Sequence, residues 1–138
     1  MTRMSSAAIV VLVAILAAGA VVLRSYRADM ARVRAAVEAG ATLAITEAGP
    51  IEYAETGSGM PLLSIHGAGG GFDQGLANAE ELIGDGLRII APSRFGYLGT
   101  PVPANPSPAA QADAHAALLA HLKVDKVVVL VVSAGSRS

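Results

Sequence analysis

The pattern of hydrophobic and polar positions divides the chain into three parts. An uncharged apolar run, Ala7–Leu23, follows a short polar start. A mixed segment with helical periodicity comes next, and from Thr42 onward short apolar runs alternate with Gly- and Pro-containing turns. This pattern predicts an N-terminal membrane segment over residues 1–24, a juxtamembrane linker helix over 25–41 and an α/β domain over 42–138.

The uncharged run is close to the shortest helix that crosses about 30 Å of hydrocarbon. The alternative is a cleaved signal peptide, with Arg3 in its basic start and Ala18-Gly19-Ala20 as the small-residue cleavage site. The length of the run and the immediate appearance of Arg24 and Arg27 favour an uncleaved anchor. We therefore expect a single-pass N-terminal anchor whose residues 7–23 contact membrane lipid.

The side of the membrane stays open. Four arginines follow the run and only Arg3 precedes it, so the positive-inside rule places the C-terminal part in the cytoplasm, although signal-like N-termini often break that rule. In the next segment Met30, Val33 and Val37 form one apolar stripe, and Gly40 provides a stop signal. This helix could lie on the bilayer surface, and we favour a solvated linker.

In the remainder of the chain predicted strands alternate with predicted helices, which indicates an α/β sheet that is mixed in its first strands and then parallel up to the last strand. The first two predicted strands alternate in polarity, as an antiparallel pair at a sheet edge does, whereas the third is apolar on both faces and suits an interior position. Ser107 is predicted as a helix N-cap with Pro108 at the first helical position. The predicted strands are Thr42–Thr46, Ile51–Glu55, Leu62–Ile65, Leu87–Ala91 and Lys126–Val132, and the predicted helices are Asp73–Ile83 and Pro108–Leu122.

Composition excludes several classes of partner. The net charge of −1 argues against nucleic acid, and the absence of Cys excludes disulfides and Cys-ligated metals. His115 and His121 are six positions apart and face different sides of a helix, so they make a poor metal pair. We interpret both, together with Asp113 and Asp125, as surface or boundary residues, and we predict no metal and no cofactor.

The segment "SIHGAGGGFDQG" places four glycines, Gly67, Gly69, Gly70 and Gly71, directly after the predicted interior strand. Glycines allow backbone conformations closed to other residues, so amide groups can converge on an anion. A dinucleotide-phosphate loop needs glycine at the sixth position, which is Phe72 here. The remaining alternatives are an oxyanion hole for acyl transfer, which we favour, and a plain flexible turn.

The segment "VVSAGSRS" brings Ser133 to the end of the most apolar strand. A nucleophilic serine there requires a strained turn with small residues two positions before and two after it. Gly135 meets this requirement, whereas the β-branched Val131 should clash or force the turn open. The alternative is an ordinary serine in a tail.

The order of these segments resembles the N-terminal half of the α/β-hydrolase fold, from about Gly49 to the end of the chain. "HGAGGG", "APSRFGYLGTP" and "VVSAG" carry the resemblance. The resemblance implies that Ser133 is the nucleophile and that the backbone N–H groups of Ala68 and Ala134, with Gly69 as a further donor, form the oxyanion hole. It also implies that His66 supports the loop structurally, beside Gly67, and is not the catalytic base.

The family places the acid and the His of its triad after the nucleophile, and this chain ends five residues past Ser133. The last strand would then be an exposed apolar edge. We therefore expect a membrane-anchored serine hydrolase for small ester-like substrates, truncated before its acid and His and inactive alone. The alternative is a non-catalytic, membrane-anchored pseudohydrolase or decayed relative that acts as a binding module, and a nucleotide-binding protein is a distant third.

Overall fold

A computed structural model of the chain describes residues 6–83 and 86–137. These residues divide into two compact units, with the boundary between Ala39 and Gly40. The described elements, in chain order, are α1 (Ser6–Gly40), β1 (Thr42–Thr46), β2 (Gly49–Gly57), β3 (Met60–Ile65), α2 (Phe72–Ile83), β4 (Leu87–Pro92), α3 (Pro108–His121), β5 (Val128–Val131) and a 3₁₀ helix (Ser133–Arg137).

The first unit is a single helix of 35 residues. The predicted membrane segment and linker helix are continuous, because no proline lies between Ser6 and Gly40 and the arginines that end the apolar run are good helix formers. The apolar part of α1 reaches a mean hydropathy of 2.8, and none of it is buried. By length and composition α1 can cross a membrane, and a signal sequence would share both properties. Arg3 lies outside the described residues.

The second unit is built on a five-stranded mixed sheet with the strand order β1-β2-β4-β3-β5. β1 pairs antiparallel with β2, and β2 pairs antiparallel with β4. β3 runs parallel to both of its neighbours, β4 and β5. The predictions of an antiparallel first pair, an interior third strand and a sheet that is mixed and then parallel are therefore confirmed.

The core lies on both faces of this sheet, because successive residues of a strand point to opposite sides. Leu62 and Ile89 pack with Ala79 of α2 on one face. Leu63 and Ile90 belong to a larger cluster on the other face, which includes residues of α3. The central strands are thus covered by one helix on each side, as in a three-layer α/β fold.

The start of α3 has the predicted capping geometry. Ser107 has an extended backbone, and its Oγ accepts a hydrogen bond of 3.1 Å from the Ala110 N–H. Pro108 occupies the first helical turn, where its missing N–H costs nothing. The cap fixes where the Pro-rich loop ends and α3 begins.

The last strand is shorter than predicted, since it begins at Val128 and not at Lys126. Its register pairs Val128 with Leu62 and Val131 with Ile65. In the described sheet β5 is an edge strand, and Val128, Val129 and Val131 are 46, 50 and 42% exposed.

Candidate functional site

Three loops meet beyond the carboxyl ends of the parallel strands. Residues 66–71 follow β3, residues 93–100 follow β4, and the 3₁₀ helix follows β5. In parallel α/β sheets this edge is where loops assemble binding and catalytic groups. The sequence-predicted site residues all lie on two of these loops.

Ser133 is held in a strained backbone conformation. Its φ is +52°, which places this non-glycine residue in the left-handed region, where such strain costs of order 1 kcal/mol. The residue directly follows the β5 segment, starts the 3₁₀ helix and is exposed. A serine in this conformation at the end of a strand presents its hydroxyl at the loop edge of the sheet.

Gly135 allows the turn to pack against β3. A Cβ at this position would lie 2.8 Å from the His66 carbonyl oxygen and 2.9 Å from that of Ile65. The Gly135 N–H donates to the Val132 carbonyl at 2.9 Å and closes the turn. Only glycine therefore fits two positions after Ser133.

The predicted clash at Val131 does not occur among the described residues. Val131 is the last residue of β5, pairs with Ile65 and is 42% exposed. Its side chain has room because β5 is the edge of the described sheet, and the turn at Ser133 forms despite the β-branched residue.

The loop after β3 lies against Ser133. A Cβ on Gly67 would be 3.3 Å from both the Ser133 Cβ and the Val132 carbonyl oxygen. The Gly67 N–H is already occupied, since it donates to the Gln74 Oε1 at 2.9 Å. The first amide of this loop that could serve a ligand is therefore that of Ala68.

Three backbone amides beside Ser133 are free. Across residues 6–83 and 86–137, the N–H groups of Ala68, Gly69 and Ala134 have no hydrogen-bond partner. Ala68 follows Gly67, which contacts Ser133, and Ala134 is the residue after the serine. The structure thus places the loop that carries Ala68 and Gly69 against Ser133, and Ala134 follows the serine in the chain.

The glycines of the loop act differently from the prediction. None of Gly67, Gly69, Gly70 and Gly71 lies in the left-handed region. They are needed for space, because a Cβ on Gly70 would be 2.7 Å from the Gln74 Cβ and one on Gly71 would be 2.4 Å from the Leu98 Cδ1. The loop is a close-packed turn against the first turn of α2 and the loop after β4.

His66 connects two of the loops. Its Nδ1 donates to the Gly67 carbonyl at 2.7 Å, and its Nε2 accepts from the Arg94 N–H at 2.9 Å. Tyr97 packs edge-on against the ring at 4.7 Å. Burial lowers the pKa of His66, partly opposed by its hydrogen bond to Gly67, and the Arg94 charge lowers it further. Both ring nitrogens are occupied, so neither is available as a base for Ser133.

A polar network behind the loops was not found from the sequence. The Ser93 Oγ accepts from the Phe72 N–H at 3.2 Å and donates to the Glu52 carboxylate at 2.9 Å. The same carboxylate oxygen accepts from the Gly99 N–H at 3.0 Å, and the Glu52 N–H donates to the Thr100 Oγ1 at 2.9 Å. This network connects the start of α2 to β2 through hydrogen bonds. In the sequence, only the serine directly after β4 could have indicated it.

His115 is buried, which corrects its interpretation as a surface or boundary residue. It is 4% exposed, and its Nε2 accepts from the Gln111 amide at 3.1 Å, while the Gln111 Oε1 accepts from the Phe95 N–H at 2.8 Å. Burial lowers the pKa of His115 to about 4, with further lowering by the Arg94 charge and by His66. The ring is a neutral core group.

The other polar residues singled out from the sequence lie at the surface. His121 is exposed and lines a cleft with Ile45 and Glu47, near the β1 edge of the sheet, whereas Ser133 follows the opposite edge strand. Asp113 and Asp125 are exposed.

In the described part of the chain the Ser133 Oγ has no hydrogen-bond partner, and no group of three metal-ligating side chains is found.

The chain is similar to several known hydrolases. It is 37% identical over 98 residues to the uncharacterized hydrolase YcgS of Bacillus subtilis, in an alignment that covers 67% of this chain and 32% of YcgS. An α/β hydrolase fold protein from Nakamurella multipartita matches with a TM-score of 0.62 and 38% identity, over 66% of this chain and 32% of that protein. A thermophilic esterase from Thermogutta terrifontis matches with a TM-score of 0.54 and 31% identity, over 69% and 37% of the two chains.

These matches involve only part of each relative. The chain spans about a third of the length of the hydrolases with which it aligns. No protein-family model matches the chain.

Proposed function

Since the chain belongs to the α/β-hydrolase fold family and contains an N-terminal part of that fold, we propose that it carries the nucleophile and oxyanion half of a serine-hydrolase active site. The observation that carries the proposal is the position of Ser133. It has a left-handed backbone at the end of β5 and lies against the loop after β3, and among the described residues the N–H groups of Ala68 on that loop and of Ala134, the next residue, have no hydrogen-bond partner. This combination suits the attack of a hydroxyl on an acyl carbon.

In the proposed reaction the Ser133 Oγ attacks the carbonyl carbon of an ester. The carbonyl π electrons move to the oxygen, and the Ala68 and Ala134 amides donate hydrogen bonds to the resulting oxyanion. Collapse of this intermediate expels the alcohol and leaves an acyl-serine, which water then hydrolyses. Each step needs a base to accept and return a proton, and none of the described histidines contacts Ser133.

The base and its acid are therefore proposed to come from parts of the hydrolase fold that the chain does not contain. An unassisted serine hydroxyl is a weak nucleophile, so we expect little or no turnover from the 138 residues alone. The lack of a base beside Ser133 in the described residues also favours the second candidate. This candidate is a non-catalytic module that binds ester-like or anionic ligands at the Ala68 and Ala134 amides.

A chimera separates the two candidates. Residues 40–138 are joined to the part of the Nakamurella multipartita protein that lies beyond the matched region, and circular dichroism establishes that the product is folded. Labelling by a fluorophosphonate probe and hydrolysis of a p-nitrophenyl ester are then measured. We expect both activities, and we expect Ser133→Ala to lower hydrolysis by about 10³-fold or more.

Ser58→Ala is the matched control, since it removes an exposed hydroxyl from the turn between β2 and β3 and should leave labelling unchanged. A folded chimera that is not labelled, or is labelled equally in Ser133→Ala, would contradict the catalytic proposal and support the binding module. The 138-residue chain should remain unlabelled in the same assay.

We also propose that α1 is an uncleaved membrane anchor. Its length, its apolar composition and the exposure of its side chains support this proposal.

After extraction with alkaline carbonate the chain should remain in the membrane fraction, and its intact mass should include the whole segment from Met1 to Ala20. Ile15→Lys places a charge in the middle of the apolar run, at a cost of about 3 kcal/mol, and should release the chain. A mass that lacks this segment would identify a signal peptide instead.

A further inference from the structure

Two arginines stand at the end of the apolar part of α1. Arg24 directly follows Leu23, and Arg27 is three positions further on, so both project from the same face of a helix that continues without a break. Both side chains are exposed. The serine-hydrolase site does not involve them.

Helix geometry sets the depth of this arginine pair in a bilayer. The uncharged run Ala7–Leu23 is about 25 Å long as a helix, which is shorter than a hydrocarbon core of about 30 Å. The Arg24 backbone therefore lies at the edge of the hydrocarbon, and its long side chain extends outward to the phosphate level. Arg27 lies about 4.5 Å further along the axis, and Tyr26 provides an aromatic ring at the same depth.

The charges of the arginine pair are not compensated by neighbouring side chains. Asp29 is the nearest acidic residue along the chain, and it pairs with Arg32. It is two positions from Arg27, about 200° around the helix, so it faces away from the pair. Within the described residues neither Arg24 nor Arg27 has an ion-pair partner.

We propose that Arg24 and Arg27 form a binding site for the headgroups of anionic phospholipids. The guanidinium groups match phosphodiester oxygens in charge and geometry, and a headgroup with net negative charge supplies the missing counterion. A zwitterionic headgroup carries its own cation and supplies none. The inference rests on the proposed membrane anchor and adds to it the chemistry of the lipid.

The chain contains no Trp, so Tyr26→Trp creates a single fluorophore at the depth of the arginine pair. It lies about 200° from Arg24 around the helix, away from the pair. The full chain is reconstituted in vesicles of phosphatidylcholine that contain phosphatidylglycerol as the minor lipid. In one preparation the phosphatidylcholine carries brominated acyl chains, and in the other the phosphatidylglycerol does. Comparison of the two quenching curves gives the relative association constant of the anionic lipid.

We expect the anionic lipid to be preferred about fivefold or more, since each arginine near the surface contributes about 1 kcal/mol. Arg24→Gln with Arg27→Gln should reduce the preference to about one. Arg34→Gln is the matched control for the loss of a positive charge on the same helix. Arg34 lies about 10 Å beyond Arg27 along the helix, roughly a Debye length, so its removal should have a much smaller effect.

A relative association constant of about one for the anionic lipid in the single-Trp chain would overturn the inference and leave the anchor standing. A preference that survives the double substitution, or that Arg34→Gln removes equally, would also overturn it. Absence of quenching by either lipid would show that α1 does not enter the bilayer, in which case both proposals fail.

Discussion

At the scale of single residues, the geometry around Ser133 depends on two glycines, which have no Cβ. Gly135 and Gly67 bring the turn after β5 and the loop after β3 into contact, and in both cases a Cβ would meet backbone or side-chain atoms within about 3.3 Å. The left-handed conformation of Ser133 is maintained by this contact and by the hydrogen bond that closes the turn. These glycines therefore contribute to the site through close approach.

Gly135→Ala should destabilise the second unit, because the new methyl group would lie 2.9 Å or less from the Ile65 and His66 carbonyl oxygens. Overpacking of this kind costs about 1–3 kcal/mol. Urea unfolding of the full chain in detergent, followed by far-UV circular dichroism, measures the effect. The exposed Ser58→Ala, in the turn between β2 and β3, should change the free energy of unfolding by less than about 0.5 kcal/mol, and an equal effect of the two substitutions would contradict the steric argument.

His115 should make stability depend on pH. Its pKa is lowered from 6.5 to about 4 by burial, so the unfolded chain binds more protons between these values. The contribution of His115 is complete above about pH 6.5 and is lost as the pH falls toward 4. His66 has a pKa shifted in the same direction. Unfolding at pH 5.0 should require about 2 kcal/mol less than at pH 7.5 from His115 alone.

His115→Gln should flatten this dependence, and the exposed His121→Gln is the matched control that should leave it intact. The same urea titration at several pH values measures both variants. A pH dependence unchanged by His115→Gln would assign the effect to other groups.

At the scale of secondary-structure elements, local signals determine only some of the helix starts in the second unit. Ser107 caps α3 and Pro108 fixes the first helical dihedral, as the sequence predicted. The start of α2 is fixed in another way, since its first N–H is bound by Ser93 from the loop after β4. One helix start is therefore local in origin, and the other depends on tertiary contacts.

Ser107→Ala should destabilise the chain by about 1 kcal/mol, because the Ala110 N–H loses its acceptor. Ser107→Asp should restore most of that loss, since a carboxylate can accept the same hydrogen bond and favours the helix N-terminus. The midpoint of urea unfolding is the measurement. Equal losses in both variants would show that the hydroxyl is not acting as a cap.

At the scale of the whole molecule, the described sheet ends in two edge strands, β1 and β5. β5 pairs with β3 on one side only, and its three exposed valines carry no charge that would oppose pairing with another strand. The opposite edge strand, β1, also exposes the apolar Leu43 and Ile45, but it carries polar residues at Thr42 and Thr46. Self-association through β5 is therefore expected of the isolated chain.

Val129→Lys should reduce this self-association, because a charge on an edge strand opposes edge-to-edge pairing. Val102→Lys is the matched control, since Val102 is also exposed but lies in the Pro-rich loop. Light scattering of the detergent-solubilised chain as a function of concentration measures the effect. The same decrease in both variants would indicate a general charge effect and would exclude a specific role of β5.

The sequence by itself determined the long apolar helix, the order of strands and helices, the cap at Ser107 and the position of Ser133 at the end of a strand. These features follow from local periodicity and from residues within one turn of each other. Only the tertiary structure decided that β4 lies between β2 and β3, that His115 is buried, that Val131 has room, and that Glu52 and Ser93 hold the start of α2. These outcomes depend on which distant segments come into contact, and therefore on burial and space that no local pattern of residues encodes.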